Sequence, residues 1–556
     1  MPIVPANDDS LNIVIKDLSE LRKEKLKAIS GQQAFADDPA IMRQTQLNLL
    51  SDLEKTIDLD QVQILDYLNG EEGLAHDSVF GGSLLNLEAP FDFVSTWKRV
   101  HLYAILADPG GYNYESVSVI ENRGFTSNKL TILPDYHEMS RRVRANLIAY
   151  TILYEKPSLK NLLLKHDSLN PGNDLVAELE SLTKGLTEAL YPWFKSGSIR
   201  DWQLKFQQSR GTINDTGIVM TGGDGQIETL IHSIVALRTI MKCDLPIEVH
   251  FAGEYDLSHE MSESLRVLPN VTPIDLMKIF PDELYAIASW SVKPFAILAS
   301  SFQKVIFLDA DALFFQDPST LTGFNSFTQY GQVFFHDRGM EREVKGYSQW
   351  FKKINPQMSK YASSLRFPNA LSWHEQESGV VVVDKSRTGI LHSLLFTCAM
   401  NSNANREETY AHVFGDKETF WMAMDMARVP YKFVKGYAGA LGFREGNSVC
   451  GSNYHVDEKL RPMWWNGGIL LLKHSSDKLF VQFKEAAVDL DRGIDKWEKE
   501  IGMKGSEKPM CFRPVSPKAE IVVLSEELRE IGSKYIDLHL NIVSDGWKHF
   551  LSNLSI

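Results

Sequence analysis

Residues 304–315 read KVIFLDADALFF, and the fold turns on them. Val305, Ile306, Phe307 and Leu308 form a short apolar run of β-branched and aromatic side chains, the composition of a strand buried on both faces. The run ends directly in Asp309-Ala310-Asp311, so two carboxylates stand where the strand opens. A turn at that point can bring both onto one hard cation through oxygen ligands, Mn²⁺ or Mg²⁺ being suited. A cation held there could grip a diphosphate and neutralise the charge that develops on it as it leaves. Taken alone, the D-x-D has a plainer reading, two aspartates capping a turn, and its spacing does not separate the two.

Outward from this strand, short β-rich runs alternate with helical patterns from about residue 215. The expected strands are 217–221 (GIVMT), 247–253 (IEVHFAG), 304–308, 331–335 (GQVFF) and 380–384 (VVVVD), and the expected helices are 226–241 and 285–302. The alternation predicts an α/β fold with a mostly parallel central sheet and helices on both faces, whose ligands bind beyond the carboxyl ends of the strands. Residues 1–205 read as a helical stem: Leu11, Val14, Ile15, Leu18, Leu21 and Leu26 recur at near-heptad spacing, and further helical stretches at 91–106 and 139–155 are separated by a turn at Gly110 and Gly111. This region carries no cluster of catalytic residue types and is assigned a supporting role. The α/β domain is placed at 206–475, and 476–556 as a C-terminal extension, packed on the core, of helices with one strand at 521–524.

The 556 residues suffice for two to four domains with a large core, and 44% hydrophobic with 23% charged residues is an ordinary globular balance. Seventy-two acidic against 58 basic side chains leave a net charge of −14, which repels phosphate backbones and argues against a general nucleic-acid binder. No apolar run reaches the length of a membrane span and no signal-peptide pattern opens the chain as given. Cys243, Cys398, Cys450 and Cys511 show no C-x-x-C pair, so zinc-ribbon and thioredoxin readings fall away, and two disulfides can form without being required. Sequons at Asn214, Asn270 and Asn553 matter only in the secretory pathway.

Two further segments are candidate ligand contacts on residue type. The loop Thr221-Gly222-Gly223-Asp224-Gly225 follows the first strand and opens a helix, so its backbone N–H groups could receive a base, ribose or phosphate, although a tight turn reads equally well. It lacks the spacing of a dinucleotide fingerprint or a P-loop. Ser378 and Gly379 precede VVVVD, where a glycine lets a ligand approach the backbone closely or simply starts a strand with a bulge.

Together, GIVMTGGDGQ (217–226), SVKPFAILASSFQKVIFLDADALFFQDP (291–318), ESGVVVVDKS (377–386) and GDKETFW (415–421) resemble the metal-dependent nucleotide-sugar glycosyltransferases with a Rossmann-like GT-A domain, and most of all the fungal α-1,3-mannosyltransferases. The resemblance covers roughly 215–475. It implies a GT-A fold, with Asp309 and Asp311 holding the metal and contacting the diphosphate, Lys293 facing the sugar nucleotide, and Asp416 near the transferred sugar and acceptor. Glu418 is then either a helper of Asp416 or a helix N-terminal charge. For the third metal ligand, the stretch 455–464 is similar to the H-x-x-G-x-x-K-P-W end of glycogenin-like transferases, which implies His455 on the metal and Arg461 on the diphosphate. It departs by Glu458 for glycine, Arg461 for lysine, and a Met463 that moves Trp464 one place on; His474 is the rival ligand. Trp421, Trp464 and Trp465 could stack on sugars, with core packing as the default.

The activity so implied is retaining transfer of mannose from GDP-mannose, in an α-1,3 linkage, to a mannoside acceptor on N- or O-linked glycans, with Mn²⁺ or Mg²⁺ as cofactor. UDP-sugar donors remain a rival, as does an inactive glycan-binding or scaffold subunit. A phosphatase of the haloacid dehalogenase type fits poorly, because its D-x-D opens the domain, whereas here it lies past residue 300 with Leu313 and Phe314 following. The resemblance further implies the Golgi lumen and a membrane anchor that the chain as given does not contain, while the oligomeric state stays open.

Overall fold

The computed structural model describes residues 136–554 apart from 156, 158–159, 162–163, 165–174, 196, 214, 281–288, 340–345, 357, 472–478, 491–496, 499–509 and 515–519. The helices expected at 11–26 and 91–106, and the turn at Gly110 and Gly111, lie outside the described residues. Two compact units divide the chain, one comprising Met1–Pro192 with Ile354–Tyr361 and Met426–Pro430, the other Trp193–Lys353, Ala362–Asp425 and Tyr431–Ile556. The division falls thirteen residues before the expected boundary at 205, and two later segments join the first unit.

Within the first unit, α1 (Tyr136–Tyr154) covers the helix expected at 139–155, and it packs with α2 (Leu175–Leu190). Leu147, Ala149 and Leu186 are buried, and Asn146 donates from Nδ2 to Thr187 Oγ1 at 3.1 Å. The polar pair satisfies groups that burial would otherwise leave without water.

The second unit opens with α3 (Ile199–Gln208), where Ser198 and Asp201 form a capping box. Its sheet strands run β1 (Thr216–Thr221), β2 (Ile247–Phe251), β3 (Val271–Asp275) and β4 (Lys304–Asp309), which passes through Ala310 and Asp311 into β5 (Ala312–Phe314); β6 (Gln332–His336) and β7 (Gln376–Asp384) follow. The first sheet has the order β3-β2-β1-β4-β7-β6. Its β1, β2, β3 and β4 are mutually parallel, while β7 runs antiparallel to both β4 and β6. All five expected strands are present, and β3 was not expected. Val305 through Leu308 are almost fully inaccessible, as an apolar run covered on both faces requires.

The expected helix 226–241 is α4 (Ile227–Thr239). Of the expected 285–302, the described part is a 3-10 turn at Ser289–Ser291 leading into α5 (Val292–Ala299), and α6 (Thr388–Met400) is buried along its whole length. A helix apolar on all sides is one with no face left for solvent.

A second sheet of eight strands adds β8 (Tyr437–Glu445), β9 (Ser448–Val456), β10 (Pro462–Asn466), β11 (Glu485–Asp489), β12 (Trp497–Glu498), β13 (Cys511–Phe512) and β14 (Glu520–Val523) to β5. Its order is β12-β13-β9-β8-β11-β14, with β10 pairing both β9 and β5. The strand expected at 521–524 is β14. The region after 476 is therefore more than a helical extension, since β11 pairs with β8 and β13 with β9. Cys450 and Cys511 face each other across β9 and β13 and form a disulfide; Cys243 and Cys398 are buried free thiols. After β14 comes α7 (Glu526–Asp545), followed by the short α8 (Trp547–Ser552); the Tyr535 hydroxyl of α7 donates to Phe314 O at 2.9 Å and accepts from Phe314 N at 3.2 Å.

Candidate active site

The parallel register of β1 and β4 sets Thr221 directly beside Asp309, so the loop after β1 and the acidic turn after β4 leave the sheet together. They open on a cavity of about 860 Å³, in the range that binds small ligands. Its walls include Thr221, Gly222 and Gly223 at the loop, Lys293 from α5, Asp309 and Asp311 at the carboxyl end of β4, and Asn466, Gly467 and Gly468 at the end of β10. The backbone carbonyl of Asp311 accepts from Gly467 N at 3.2 Å and Gly468 N at 2.8 Å, which fixes the acidic turn against β10.

Lys293, at the start of α5, is buried and points at Asp309, with Nζ 2.9 Å from its carboxylate, 3.3 Å from Ser378 Oγ and 3.9 Å from Asp416 Oδ1. Burial alone would pull the ammonium toward neutrality, but Asp309 and Asp416 more than offset it and keep Lys293 protonated. Asp416 is 2% exposed, its Oδ2 has no hydrogen-bond partner, and burial raises its pKa. A buried carboxylate oxygen without a donor is costly unless a ligand supplies one.

Asp309 and Asp416 thus share the Lys293 ammonium, with Asp311 close enough to Asp309 to repel its charge. Burial, reinforced by Asp311 and Asp416, pushes the Asp309 carboxyl up to about 7 against the pull of Lys293. Such an excess of oxygen donors and negative charge fits a hard divalent cation held by Asp309 and Asp311.

The remaining expectations fare differently. In the loop after β1 the donors are already engaged: Gly222 N bonds His250 O at 3.4 Å, Gly223 N bonds Gln226 Oε1 at 3.0 Å and Asp224 N bonds Asp256 O at 2.8 Å. A Cβ on Gly223 would fall 2.3 Å from Asp256 O, so this glycine serves the closure of the loop itself. The loop shapes the cavity wall, and these three N–H groups are not offered to a phosphate.

His455 does not line the cavity. Its ring lies flat on Trp464, centroids 4.1 Å apart, and edge-on to Phe335, while burial drives its pKa down to about 3. Arg461 is also outside the cavity, bound by Nε to Asp457 Oδ2 at 2.7 Å across the turn that joins β9 to β10. The stretch likened to the glycogenin-type ending is thus a β-hairpin closed by Asp457, which takes the arginine meant for the diphosphate. His474 lies outside the described residues. Among the described residues, the one grouping of three metal-type ligand atoms is Glu445 with Cys450 and Cys511, and those two sulfurs are bonded to each other.

Glu418 is fully buried away from the cavity, accepting from Trp421 Nε1 at 2.6 Å and Glu375 N at 2.8 Å, so it shapes the turn after Asp416. Ser378 reaches the site through Lys293, whereas Gly379 packs against Trp464 and Asn466. Trp421, Trp464 and Trp465 are fully buried core residues.

Other parts of the site were not read from the sequence. Glu377 accepts from Gly379 N at 2.9 Å, Asn453 Nδ2 at 2.8 Å and Asn466 Nδ2 at 3.1 Å, and Asp337 pairs with Lys417 Nζ at 2.6 Å. Lys417 in GDKETFW was the available signal, since a lysine beside two acids asks for a carboxylate partner. His539 and Val543 of α7 and His232 of α4 also line the cavity. His232 donates from Nε2 to Tyr535 O at 3.0 Å, and burial lowers its pKa to about 4, so the imidazole is neutral.

Residues 215–457 match a family model described as "Mannosyltransferase putative". A "Putative alpha-1,3-mannosyltransferase MNN14" of Candida albicans is 26% identical over 321 residues, covering 50% of this chain and 44% of its own length. The alpha-1,3-mannosyltransferase MNN1 of Saccharomyces cerevisiae is 22% identical over 437 residues, 60% of this chain and 55% of its own. Among solved structures, the galactosyltransferase LgtC with donor and acceptor sugar analogues aligns with 38% of this chain and 70% of its own, at 16% identity and a TM-score of 0.26. The chain spans about half the length of the curated relatives it matches, and over its first sheet and the candidate site it is similar to the fungal α-1,3-mannosyltransferases.

Proposed function

We propose that this chain is a metal-dependent, retaining glycosyltransferase of GT-A type that moves mannose from GDP-mannose to a mannoside acceptor on N- or O-linked glycans, in an α-1,3 linkage. The observation that carries the reading is the Lys293 ammonium set between Asp309 and the buried Asp416, with Lys293, Asp309 and Asp311 lining a nucleotide-sized cavity at the carboxyl ends of β1 and β4. Similarity to the fungal enzymes supplies the sugar and the linkage.

Asp309 and Asp311 would hold Mn²⁺ or Mg²⁺, which when bound supplies Lewis-acid neutralisation of the leaving diphosphate. Lys293 aims Asp309 and favours its ionised form against burial, because its ammonium sits 2.9 Å from that carboxylate. The C1–O bond of the donor breaks with its electron pair leaving on GDP. The acceptor hydroxyl oxygen bonds to C1 on the same face, and its proton passes to the departing phosphate, so no dedicated base is required. Asp416, buried beside the Lys293 ammonium, accepts a sugar hydroxyl and stabilises the positive charge that builds at the sugar ring. The Golgi lumen is the proposed location: the Cys450–Cys511 disulfide suits an oxidising compartment, and Asn270 and Asn553 are exposed sequons. Among the described residues no helix is long and apolar enough to cross a membrane.

Thermal unfolding with GDP, UDP and their sugars, with and without Mn²⁺, tests the reading. GDP with Mn²⁺ should raise the melting temperature of the wild-type protein by mass action, and Asp311→Ala should abolish the rise. A response to UDP alone would overturn the donor, and no response to either nucleotide would overturn the reading.

A further inference from the structure

Two large aromatic side chains stand exposed at the mouth of the cavity. Trp290, 45% exposed, lines it together with Lys293 and Asp309, and Phe414, 59% exposed, lies with its ring centroid 5.1 Å from that of Trp290. Gly415 makes the arrangement possible. It turns the chain at φ +69°, and a Cβ there would come 2.9 Å from the Trp290 ring, so the indole lies across the backbone immediately before Asp416. Polar groups flank the pair: His374 sits edge-on to Phe414 at 5.6 Å, and Lys417 Nζ, paired with Asp337, is 5.5 Å from the Phe414 centroid. Leaving this much aromatic surface in water is unfavourable, and contiguous patches of that kind mark contact sites.

We infer that Trp290 and Phe414 form the acceptor subsite, a platform on which a neutral pyranose of the acceptor glycan stacks; the inference deepens the transferase reading and rests on it. A pyranose presents an apolar C–H face and a rim of hydroxyls, which matches an aromatic surface bordered by polar groups. Position selects the acceptor over the donor. Phe414 and Trp290 lie two and three residues in sequence from Asp416 and Lys293, the residues assigned to the transferred sugar, and their rings stand in solvent where a second saccharide can reach them. Asp309 and Asp311, which would hold the donor's diphosphate, are half-buried in the same cavity wall, whereas Trp290 is exposed.

The test compares wild type with Trp290→Ala, Phe414→Ala and the conservative Trp290→Phe. One arm measures transfer from GDP-mannose to methyl α-mannoside, alongside donor hydrolysis by water. Each alanine should raise the acceptor KM about tenfold, the loss of one stacking contact. Donor KM, donor hydrolysis and stabilisation by GDP with Mn²⁺ should stay at wild-type values, with Trp290→Phe close to wild type. A second arm follows binding of methyl α-mannoside to the protein by saturation-transfer NMR, expected in wild type and lost in both alanine variants. Binding with that pattern in a protein that transfers nothing would uphold the subsite while the transferase reading fails. The inference is overturned if the alanine variants keep the wild-type acceptor KM, if they lose donor binding instead, or if the wild type binds no saccharide; an unchanged acceptor KM would leave the aromatic pair to a protein partner.

Discussion

Glu418 stands two residues from Asp416 and has a different task. Its buried carboxyl is pushed up to about 8, burial being the main cause and Lys417 opposing it, while the unfolded chain titrates near 4.5. Between those values the folded protein holds a proton that the unfolded chain has released. The associated stability is fully present below about 4.5 and is lost as pH rises through about 8. Wild-type melting temperature should therefore fall between about pH 4.5 and about pH 8, and Glu418→Gln, whose amide oxygen still accepts from Trp421, should flatten that part of the profile. A variant profile parallel to wild type would show that another group titrates. The same neighbourhood shows what single residues disclose. Asp309 at the end of β4 and Asp416 in the turn after Gly415 come together within 4 Å of the ammonium of Lys293, in the first turn of α5. His455 and Arg461 do not, because they sit on a hairpin, and residue types in a hairpin do not reveal which face it turns inward or that Asp457 captures the arginine.

At the scale of elements, the central strands were legible since Val305–Leu308 and Val380–Val383 are unbroken apolar runs of strand length. The second sheet was not. Gly439, Gly442 and Gly451 interrupt β8 and β9, and the partners that make β5 and β10 strands lie far apart, Ala312 opposite Asn466. The C-terminal helix illustrates the cost of that blindness: read as an extension, α7 in fact supplies cavity wall through His539 and Val543. Tyr535 fastens it, being 1% exposed and satisfying both backbone groups of Phe314, three residues beyond Asp311. Tyr535→Phe leaves a buried N–H and a buried C=O unpaired, which should cost about 1–3 kcal/mol in chemical denaturation. Because β5 and α7 border the cavity, the same variant should also bind GDP with Mn²⁺ more weakly. Unchanged stability would mean that water or a shifted side chain replaces the hydroxyl.

Over the whole molecule, composition correctly pointed to a globular chain with a large core, but four scattered cysteines could not announce which of them pair. Pairing depends on β13 reaching β9 across 61 residues, a contact of the kind that local pattern never carries. Closing a loop of that length removes unfolded-state entropy worth about 4 kcal/mol in the chain-entropy account. Reduction, or the double substitution Cys450→Ala with Cys511→Ala, should therefore lower the melting temperature clearly, while Cys243 and Cys398, buried in different parts of the sheet domain, play no part. The same pair bears on compartment, since such a bond persists where thiols are oxidised and is kept open by cytosolic reductants. Alkylation of the denatured protein without reductant, followed by mass spectrometry, should label Cys243 and Cys398 alone; reduction should expose all four. Labelling of all four before reduction, in protein recovered from its native host, would remove both the cross-link and the argument for the secretory lumen, while leaving the grouping of Asp309, Lys293 and Asp416 to be judged on nucleotide binding.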